Sequence, residues 1–559
     1  MTLNDVSKSF VKNEEDYYFI INATGDVITD SAPTIQSDDG NTKIYLSGTV
    51  YNQNLETLLK IVETQKDDFV NHLEGSFVLF VSFSDEFLSI TDSFNSKKAY
   101  YVADENSISI SNDIDTFKKN NLSIEGIGSF LANGVMINGC TIFHGVRSFS
   151  RATINKISFN EINTHVYKKY AFKYDSNIIQ NKLKEELQNL IVESISKRYS
   201  VCDIPSLSLS AGWDARGILG VLGEELQTKN VECFSYANSQ EPKPNTDGAI
   251  SNYMASLYGY DHEMVTSYNG DLVSFIENNA LHGKGIANIC FEIDAWLSLE
   301  NKGFSDIFVG DEMFGWLDLQ LSSKDDVLES VYIMKSPSIQ WFKRFMSQET
   351  LNEISDYIDK NADELYEQTN SMEDFHDKKD ILYLEHRINN VLMPWREHFA
   401  SKAGFVHNPF LDENIMELMT IVPPSLRKDK KLFKMAISEL YPELFSIPKA
   451  TDPGHIENWR NEIVRSEEEL IKMVEESTSY LDSIISKDNV IKLIKTQKSK
   501  LNKANTFIIR GVNYVRKRNV KIDKLLNKVI GKRKPPVDST TVLIRILVLR
   551  TYLKVTDNI

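Results

Sequence analysis

Two aspartates, each placed just after a strand-like run, are the residues whose type and setting could carry out chemistry. Asp214 lies in LSLSAGWDAR (207–216), where an apolar lead-in runs into a turn of small residues and then into apolar residues at helical spacing. This order predicts a strand, a loop of small residues and the start of a helix. Such an arrangement presents unpaired backbone N–H groups and the positive end of a helix dipole, which together favour phosphate as the ligand. Because a carboxylate repels naked phosphate, Asp214 fits such a loop when Mg²⁺ lies between the acid and the phosphate.

Asp311 is the second acid, in DIFVGDEMFG (306–315), whose apolar start again predicts a strand. Two acids from separate strand ends can hold one hard cation between phosphates. Alternation of strands and helices through this part of the chain predicts a doubly wound parallel sheet, with ligands at the carboxyl ends of its strands. The plainer alternatives are an ordinary strand-to-helix turn at Asp214 and a surface acid at Asp311.

Three segments of this region resemble the asparagine synthetase family. SAGWDA (210–215) is similar to its SGGxDS pyrophosphate-binding loop, 306–315 to its GxGxDExFGG segment, and NPFLD (408–412) to its VPFLD turn. The loop is not a Walker A motif, because no GKS or GKT follows. The resemblance implies an ATP-pyrophosphatase (PP-loop) domain over 175–455 that converts ATP and a carboxylate into an acyl-adenylate and pyrophosphate, with ATP and Mg²⁺ as cofactors.

The resemblance also implies a set of site residues. Asp214 and Asp311 become the metal ligands. The segment VECFSYAN (231–238) is predicted as the next parallel strand, which usually supplies backbone groups to the adenine. The nucleotide contacts expected in this way are Ser208, Ser210, Ala211, Gly212, Trp213, Asp214, Ala215, Arg216, Phe234, Tyr236 and Gly310.

The resemblance to the family is less complete at the positions of the catalytic residues. Lys431 and Lys449 match two lysines of the family pattern, and the resemblance gives Lys449 the role of stabilising the developing anion. Three residues before the second acid, asparagine synthetases have Glu and β-lactam synthetases have Tyr; this chain has Phe308, and a phenyl group cannot accept a proton. Glu385 and Glu397, on a predicted helix, are the candidate bases, against the plainer interpretation of solvated helix acids.

Residues 1–120 are predicted to form short strands with one helix, an α+β layout of stacked sheets. GTVYN (48–52) and LEGSF (73–77) resemble, in order and spacing, motifs of the glutaminase-type (Ntn) domain that precedes the synthetase domain in the same family. A working glutaminase of this type needs a cysteine at the start of the mature chain, whereas this sequence starts MTL. We therefore expect a glutaminase-like domain without glutaminase activity, as in the β-lactam synthetase and lasso-peptide cyclase branches.

The remaining segments are a connector at 121–174 and a helical C-terminal extension at 456–559. The extension holds a basic stretch at 510–534, which could bind nucleic acid or an acidic leader peptide but is more simply a solvated helix face. The apolar run at 540–555, interrupted by two arginines, predicts a docked C-terminal helix.

Composition limits the function classes. A net charge of −17 argues against nucleic acid or an anionic membrane as the partner of the whole surface. The four cysteines are far apart and form no CxxC pair, which argues against a disulfide framework or a zinc site and fits a reducing cytoplasm. No apolar run of about 20 residues is present, so we expect no membrane span.

Together these features predict an ATP- and Mg²⁺-dependent ligase that adenylates a carboxylate, releases pyrophosphate and transfers the acyl group to an amine. Without its own ammonia source, such an enzyme is expected to use a bound amine, including one in the same molecule, as in lactam or macrolactam closure. A precursor peptide or partner protein is a possible substrate. Three alternatives stay open: an ammonia-dependent asparagine synthetase-like enzyme, a degenerate, non-catalytic binding protein, and a protein that binds nucleic acid through the basic C-terminal stretch.

Overall fold

The computed structural model describes residues 11–118, 121–159, 161–174, 179–238, 243–311, 318–501 and 537–555. Within these residues the fold is mixed α/β, with three sheets and many helices. Among the helices of these ranges, none has both the length and the apolar character needed to cross a membrane. The predicted basic stretch at 510–534 lies outside the described residues.

Two antiparallel sheets form the first part of the chain. One has the order β1-β5-β6-β7-β11-β12 with β4 beside β5, and the other has the order β10-β8-β9-β2-β3. The strands are β1 Val11–Glu14, β2 Tyr18–Asn22, β3 Val27–Ile28, β4 Ile35–Gln36, β5 Lys43–Val50, β6 Gly75–Ser82, β7 Phe87–Thr91, β8 Tyr100–Ala103, β9 Ser107–Ser111, β10 Arg147–Ser148, β11 Thr153–Ser158 and β12 Glu161–Val166.

The two sheets stack face to face because alternate residues of their strands are apolar. Tyr45 and Phe80 of the first sheet meet Phe19 of the second, with ring centroids 4.9 and 5.1 Å from that of Phe19. The other face of the first sheet packs on helix α1 (Leu55–Gln65), through Leu58 and its neighbours. The stacked layout predicted for 1–120 is therefore present, and it extends further along the chain.

Three strands of these sheets come from the segment predicted as a connector. β11 pairs with β7, β12 pairs with β11, and β10 pairs with β8, so the sheets continue to Val166. Sequence alone did not indicate this, because the pairing joins residues that are far apart in the chain.

The third sheet is parallel throughout and has the order β15-β14-β13-β16-β17. Its strands are β13 Pro205–Ser208, β14 Glu232–Ala237, β15 His262–Thr266, β16 Asp306–Val309 and β17 Phe405–His407. From β13 the chain proceeds to one side through β14 and β15 and to the other through β16 and β17. The strand order therefore reverses between β13 and β16, and in open parallel sheets the ligand crevice lies outside the carboxyl ends at such a point.

Helices surround this sheet and form the C-terminal extension. They are α2 Ile124–Asn133, α3 Gln180–Tyr199, α4 Trp213–Gly220, α5 Asp247–Leu257, α6 Leu272–Gly283, α7 Ile293–Glu300, α8 Lys324–Ser330, α9 Ser336–Ile339, α10 Gln348–Glu367, α11 Phe375–Leu382, α12 Met393–His398, α13 Glu413–Ile421, α14 Pro424–Arg427, α15 Lys431–Leu440, α16 Pro442–Ser446, α17 Trp459–Arg465, α18 Glu467–Glu476, α19 Lys487–Leu501 and α20 Ser539–Tyr552. A π-helical segment, Tyr383–Leu392, joins α11 to α12.

The C-terminal helix α20 is docked as predicted, buried on every face despite its two arginines. Arg545 donates to the carbonyl oxygens of Leu131 (2.9 Å) and Ala132 (3.1 Å), which belong to the last turn of α2. Arg550 donates to the Asp482 carboxylate at 2.9 Å. The two arginines that interrupt the apolar run thus have polar partners, backbone carbonyl oxygens for Arg545 and a carboxylate for Arg550.

Candidate functional site

The loop at 209–212 leads from β13 directly into α4, with Gly212 as the N-cap residue in extended conformation. The side-chain oxygen of Ser210 accepts from the Gly212 N–H at 3.3 Å. The Ala211 N–H donates to Oδ1 of Asp247, 2.8 Å away, at the start of α5. The N–H groups of the first helical turn have no acceptor within their own helix, so the positive end of α4 faces the crevice at the switch point.

Gly310 brings the two predicted metal acids to the same place. A β-carbon on Gly310 would lie 2.7 Å from the Ala215 nitrogen and 3.0 Å from the Asp214 β-carbon. Asp311 is the next residue, with its Cα about 3.8 Å further along the chain. The missing side chain of Gly310 therefore lets the end of β16 lie directly against the start of α4, and the two acids lie on either side of that contact.

Asp214 is paired with a lysine that the sequence did not indicate. Nζ of Lys430 lies 2.8 Å from Oδ1 and 2.6 Å from Oδ2 of Asp214, and both side chains are largely buried. The family pattern matched the neighbouring Lys431, which is exposed at the first position of α15. Asp429 and Lys430 both have left-handed backbone, with φ of 56° and 54°, and this kink decides which lysine faces Asp214.

Asp311 is paired with Arg396, on α12. The guanidinium donates through Nε at 3.0 Å and through Nη2 at 2.5 Å, and the carboxylate is 5% exposed. Burial lowers the pKa of Arg396, but the attraction of Asp311 outweighs it and the net pKa is raised. The guanidinium also lies over the Trp395 ring, 4.7 Å from its centroid.

Two further lysines lie near the start of α4. Nζ of Lys449 lies 4.9 Å and Nζ of Lys434 lies 5.8 Å from the centroid of the Trp213 ring, which stacks on Phe445. Desolvation, and then repulsion from Lys434 and Arg216, lower the pKa of Lys449. The buried Trp213 indole nitrogen has no hydrogen-bond partner among the described residues. Two ammonium groups therefore lie near the Trp213 ring, at the residue that precedes Asp214.

Arg216, predicted to contact the nucleotide, is buried and engaged with the backbone. Its guanidinium donates to the carbonyl oxygens of Ala211 (3.1 Å), Ile447 (2.6 Å) and Pro448 (2.9 Å). In the structure it ties the loop to the segment that carries Lys449, which positions that lysine over Trp213.

The strand predicted to meet the adenine is β14, the neighbour of β13. Phe234 pairs with Ser208 across the ladder and is fully buried, with its ring against Trp296. Tyr236 is nearer the carboxyl end and half-buried, with its ring between Trp296 and His455. Of the two aromatic residues, Tyr236 is therefore the one that faces the crevice edge.

The two candidate bases are held by other partners. Glu385, in the π-helical segment, forms a bidentate ion pair with Arg151 from the first part of the chain. Glu397 follows Arg396 on α12, and Lys98 N lies 3.4 Å from its Oε2. Burial raises the pKa of Glu397 to about 7, opposed by the charge of Lys97.

Phe308, in the position where the resembling enzymes have Glu or Tyr, is fully buried in β16. Its ring centroid lies 5.3 Å from that of His407. It packs in the core and does not face the crevice, so the described residues supply no base at this position.

Two carboxylates, each bound to a cation, therefore lie at the switch point of the sheet, beside a helix N-terminus and a group of lysines. Carboxylate oxygens are the ligands that Mg²⁺ prefers, and the two ion pairs indicate that both positions favour positive charge. The donor set of Asp214 and Asp311 therefore fits a hard divalent cation, and the lysines fit phosphate oxygens.

No protein-family model matches this chain, and no curated protein matches it. Among solved structures, a glutamine phosphoribosylpyrophosphate amidotransferase from B. subtilis complexed with ADP and GMP is similar at 7% identity and a TM-score of 0.19, over 45% of this chain and 84% of that chain. A structure described as the allosteric regulatory enzyme of purine biosynthesis matches with the same identity and TM-score, over 45% of this chain and 74% of that chain. At such a TM-score the likeness carries no argument about fold or activity.

Proposed function

We propose that this chain is an ATP- and Mg²⁺-dependent ligase that activates a carboxylate and joins it to an amine. The observation that carries this proposal is the contact of Gly310 with the backbone of Asp214 and Ala215. It brings Asp311, just after β16, close to Asp214, in the first turn of α4. A nucleotide triphosphate bound there would meet both a metal site and backbone N–H donors.

The proposed reaction has two steps. A carboxylate oxygen of the substrate bonds to the α-phosphorus of ATP, and the bond from that phosphorus to its bridging oxygen breaks, so that pyrophosphate leaves. The amine nitrogen then bonds to the acyl carbon, AMP leaves with the electron pair of the broken C–O bond, and the amine loses a proton.

Residues of this chain have distinct roles in that scheme. Asp214 and Asp311 would hold Mg²⁺, which, when bound, neutralises phosphate charge and orients the leaving group. The first turn of α4 binds the phosphates. Lys449, held over Trp213, stabilises the negative charge that develops as pyrophosphate departs. Lys430 and Arg396 lie beside the two carboxylates and supply further positive charge to the same crevice.

Exchange of labelled pyrophosphate into ATP, with a panel of carboxylates, tests the activation step directly. We expect carboxylate-dependent exchange that requires Mg²⁺ and falls by at least a hundredfold, about 3 kcal/mol, in Asp214→Asn. Asp363→Asn is the control, since Asp363 lies on α10 and pairs with surface lysines. Product analysis with ammonium and with amines then separates an ammonia-dependent enzyme from one that uses a larger amine.

A non-catalytic nucleotide-binding protein is the second candidate, and one observation favours it. Both carboxylates are already engaged by cations, Lys430 and Arg396, which a metal would have to displace. Calorimetric titration with ATP distinguishes the two. Mg²⁺-dependent ATP binding with no exchange for any carboxylate would support the binding protein, whereas absence of ATP binding would overturn both.

A further inference from the structure

The amino end of β16 carries a second cluster of chemistry-bearing side chains, at the opposite end of the strand from Asp311. Among the described residues, Cys202, Asp306 and His407 form a group of potential metal ligands in which every pair of donor atoms lies within 4.8 Å. Asp306 is the first residue of β16, so this cluster lies about 16 Å from Asp311 along the strand. It is independent of the proposed nucleotide crevice.

The donor atoms converge in a way that a hydrogen-bonded relay would not produce. The same ring nitrogen of His407, Nε2, lies 3.5 Å from the Cys202 sulfur and 2.9 Å from Oδ1 of Asp306. A catalytic Cys–His–Asp relay uses the two ring nitrogens for the two partners. Here the thiol and the carboxylate lie beside the same nitrogen; the thiol also donates to the Arg198 carbonyl oxygen at 3.1 Å, a bond that a thiolate ligand would give up.

The distances fit a tetrahedral centre. With Zn–S near 2.3 Å and Zn–N near 2.0 Å, tetrahedral geometry separates sulfur and nitrogen by about 3.5 Å, and nitrogen and oxygen by about 3.3 Å. The first value equals the separation observed between Cys202 and His407. The His407–Asp306 separation of 2.9 Å has to lengthen by only a few tenths of an ångström.

The surroundings hold these ligands in place. His407 lies between the rings of Phe308 and Phe405, with centroids 5.3 and 5.1 Å away, and its Nδ1 is 3.4 Å from the Tyr51 hydroxyl. In the metal-bound form Nδ1 would carry the proton and donate to Tyr51, and Nε2 would give up its hydrogen bond to Asp306 and offer its lone pair to the cation. The other carboxylate oxygen of Asp306 accepts from Ser305 at 2.5 Å, which leaves Oδ1 directed inward. Such outer partners fix metal ligands in proteins.

We propose that Cys202, Asp306 and His407 form a binding site for Zn²⁺ or a similar borderline divalent cation, with a water molecule as the fourth ligand. Thiolate, imidazole and carboxylate together are a zinc-type donor set, and three protein ligands leave one coordination position open. Lys12 is the competitor, since its Nζ lies 3.4 Å from Oδ1 of Asp306; its side chain is one-third exposed and can withdraw. Cysteine spacing alone did not indicate this site, because its ligands come from three separate segments.

Cobalt substitution of the full-length protein tests the proposal. After removal of metals by chelation, titration with Co²⁺ should give thiolate-to-cobalt charge-transfer absorption that saturates at a single cobalt per chain and is abolished by Zn²⁺. Cys202→Ser should lose this absorption, whereas Cys233→Ser, in the buried part of β14, should keep it. Lys12→Met should bind Co²⁺ more tightly than the parent, because a neighbouring positive charge is removed.

Alkylation of the unmodified chain gives a test that needs no variant. The rate at which iodoacetamide labels Cys202, read by peptide mass spectrometry, should fall at least tenfold when one equivalent of Zn²⁺ is added, while Cys140 labelling should not change. Absence of a charge-transfer band, a band that persists in Cys202→Ser, or unprotected Cys202 would each overturn the site. None of these results depends on ATP or on ligase activity.

Discussion

Nζ of Lys430 lies within 2.8 Å of both carboxylate oxygens of Asp214, and the backbone that delivers it is left-handed at two successive residues. Left-handed backbone costs a residue with a β-carbon about 1–2 kcal/mol. Asp429 and Lys430 both carry this cost, at the edge of the crevice that we propose binds ATP. Conformational strain at such a place is compatible with a functional position for Lys430.

Two replacements of Lys430 distinguish the effect of its charge from the effect of its left-handed backbone. Lys430→Gly and Lys430→Met both remove the partner of Asp214, but only glycine adopts φ of 54° without strain. We expect the glycine variant to be more stable than the methionine variant by about 1 kcal/mol in urea unfolding. Both variants remove the ammonium group that a metal at Asp214 would have to displace, so the Mg²⁺ concentration that half-saturates ATP binding should fall, and by a similar factor in the two. A glycine variant that is the less stable of the two would contradict this account of the kink.

The ion pair of Asp311 with Arg396 is expected to serve stability as well as function. Asp311→Asn leaves a buried guanidinium without its counter-charge, which costs about 3 kcal/mol in the free energy of unfolding. Arg396→Gln should cost a similar amount, and the double variant should cost less than the sum, because no buried charge is left unpaired. Nucleotide-dependent exchange should be lost in both variants that lack Asp311. Strictly additive stability changes would show that the two groups do not interact.

The close approach of β16 to α4 depends on the absence of a side chain at Gly310. Gly310→Ala places a carbon 2.7 Å from the Ala215 nitrogen, a backbone atom that cannot move away cheaply. We expect a loss of about 1–3 kcal/mol in stability together with weaker Mg²⁺–ATP binding. Gly248→Ala is the matched control, because the nearest neighbour of its added carbon would be the Met264 side chain, at an ordinary contact distance of 3.6 Å, on a helix that alanine favours. Equal behaviour of the two variants would argue against the contact.

Local pattern was enough to predict the strand, loop and helix at 207–216, and the structure has β13 and α4 there. The acids at Asp214 and Asp311 could also be found, since each follows its own strand. Their cationic partners could not. The contact of Lys430 with Asp214 spans 216 residues of sequence and depends on a backbone kink that no motif marks.

Contacts between distant segments also determine the two antiparallel sheets and the cluster of Cys202, Asp306 and His407, and the sequence pattern did not predict them. Pairing of β11 with β7 joins segments that lie more than sixty residues apart, so strand propensity alone left 153–158 in a predicted connector. Cys202 and His407 meet because β13 and β17 both flank β16 in the folded sheet. Where function depends on contacts between distant segments, residue type and spacing indicate candidates but do not select among them.

Burial raises the pKa of the Glu397 carboxyl from its ordinary 4.5 to about 7. Between these values the folded protein holds a proton that the unfolded chain releases. The stabilisation is therefore complete below pH 4.5 and is lost as the pH rises to about 7, by about 3 kcal/mol. Burial lowers the pKa of Lys98 from its ordinary 10.5 to about 7, so the effect of Lys98 on stability falls in the pH range above that of Glu397.

Glu397→Gln retains the neutral form at every pH. Relative to the parent, we expect it to gain about 3 kcal/mol in unfolding free energy as the pH is raised from 4.5 to 8, and to match the parent at the acid end. Chemical denaturation across this range measures the difference. Since Glu397 accepts from Lys98 and Asp311 is bound by Arg396, pyrophosphate exchange at pH 7 should not fall more than a few-fold. A stability difference that does not change with pH would show that the carboxyl titrates normally, and a complete loss of exchange would restore Glu397 as a candidate base.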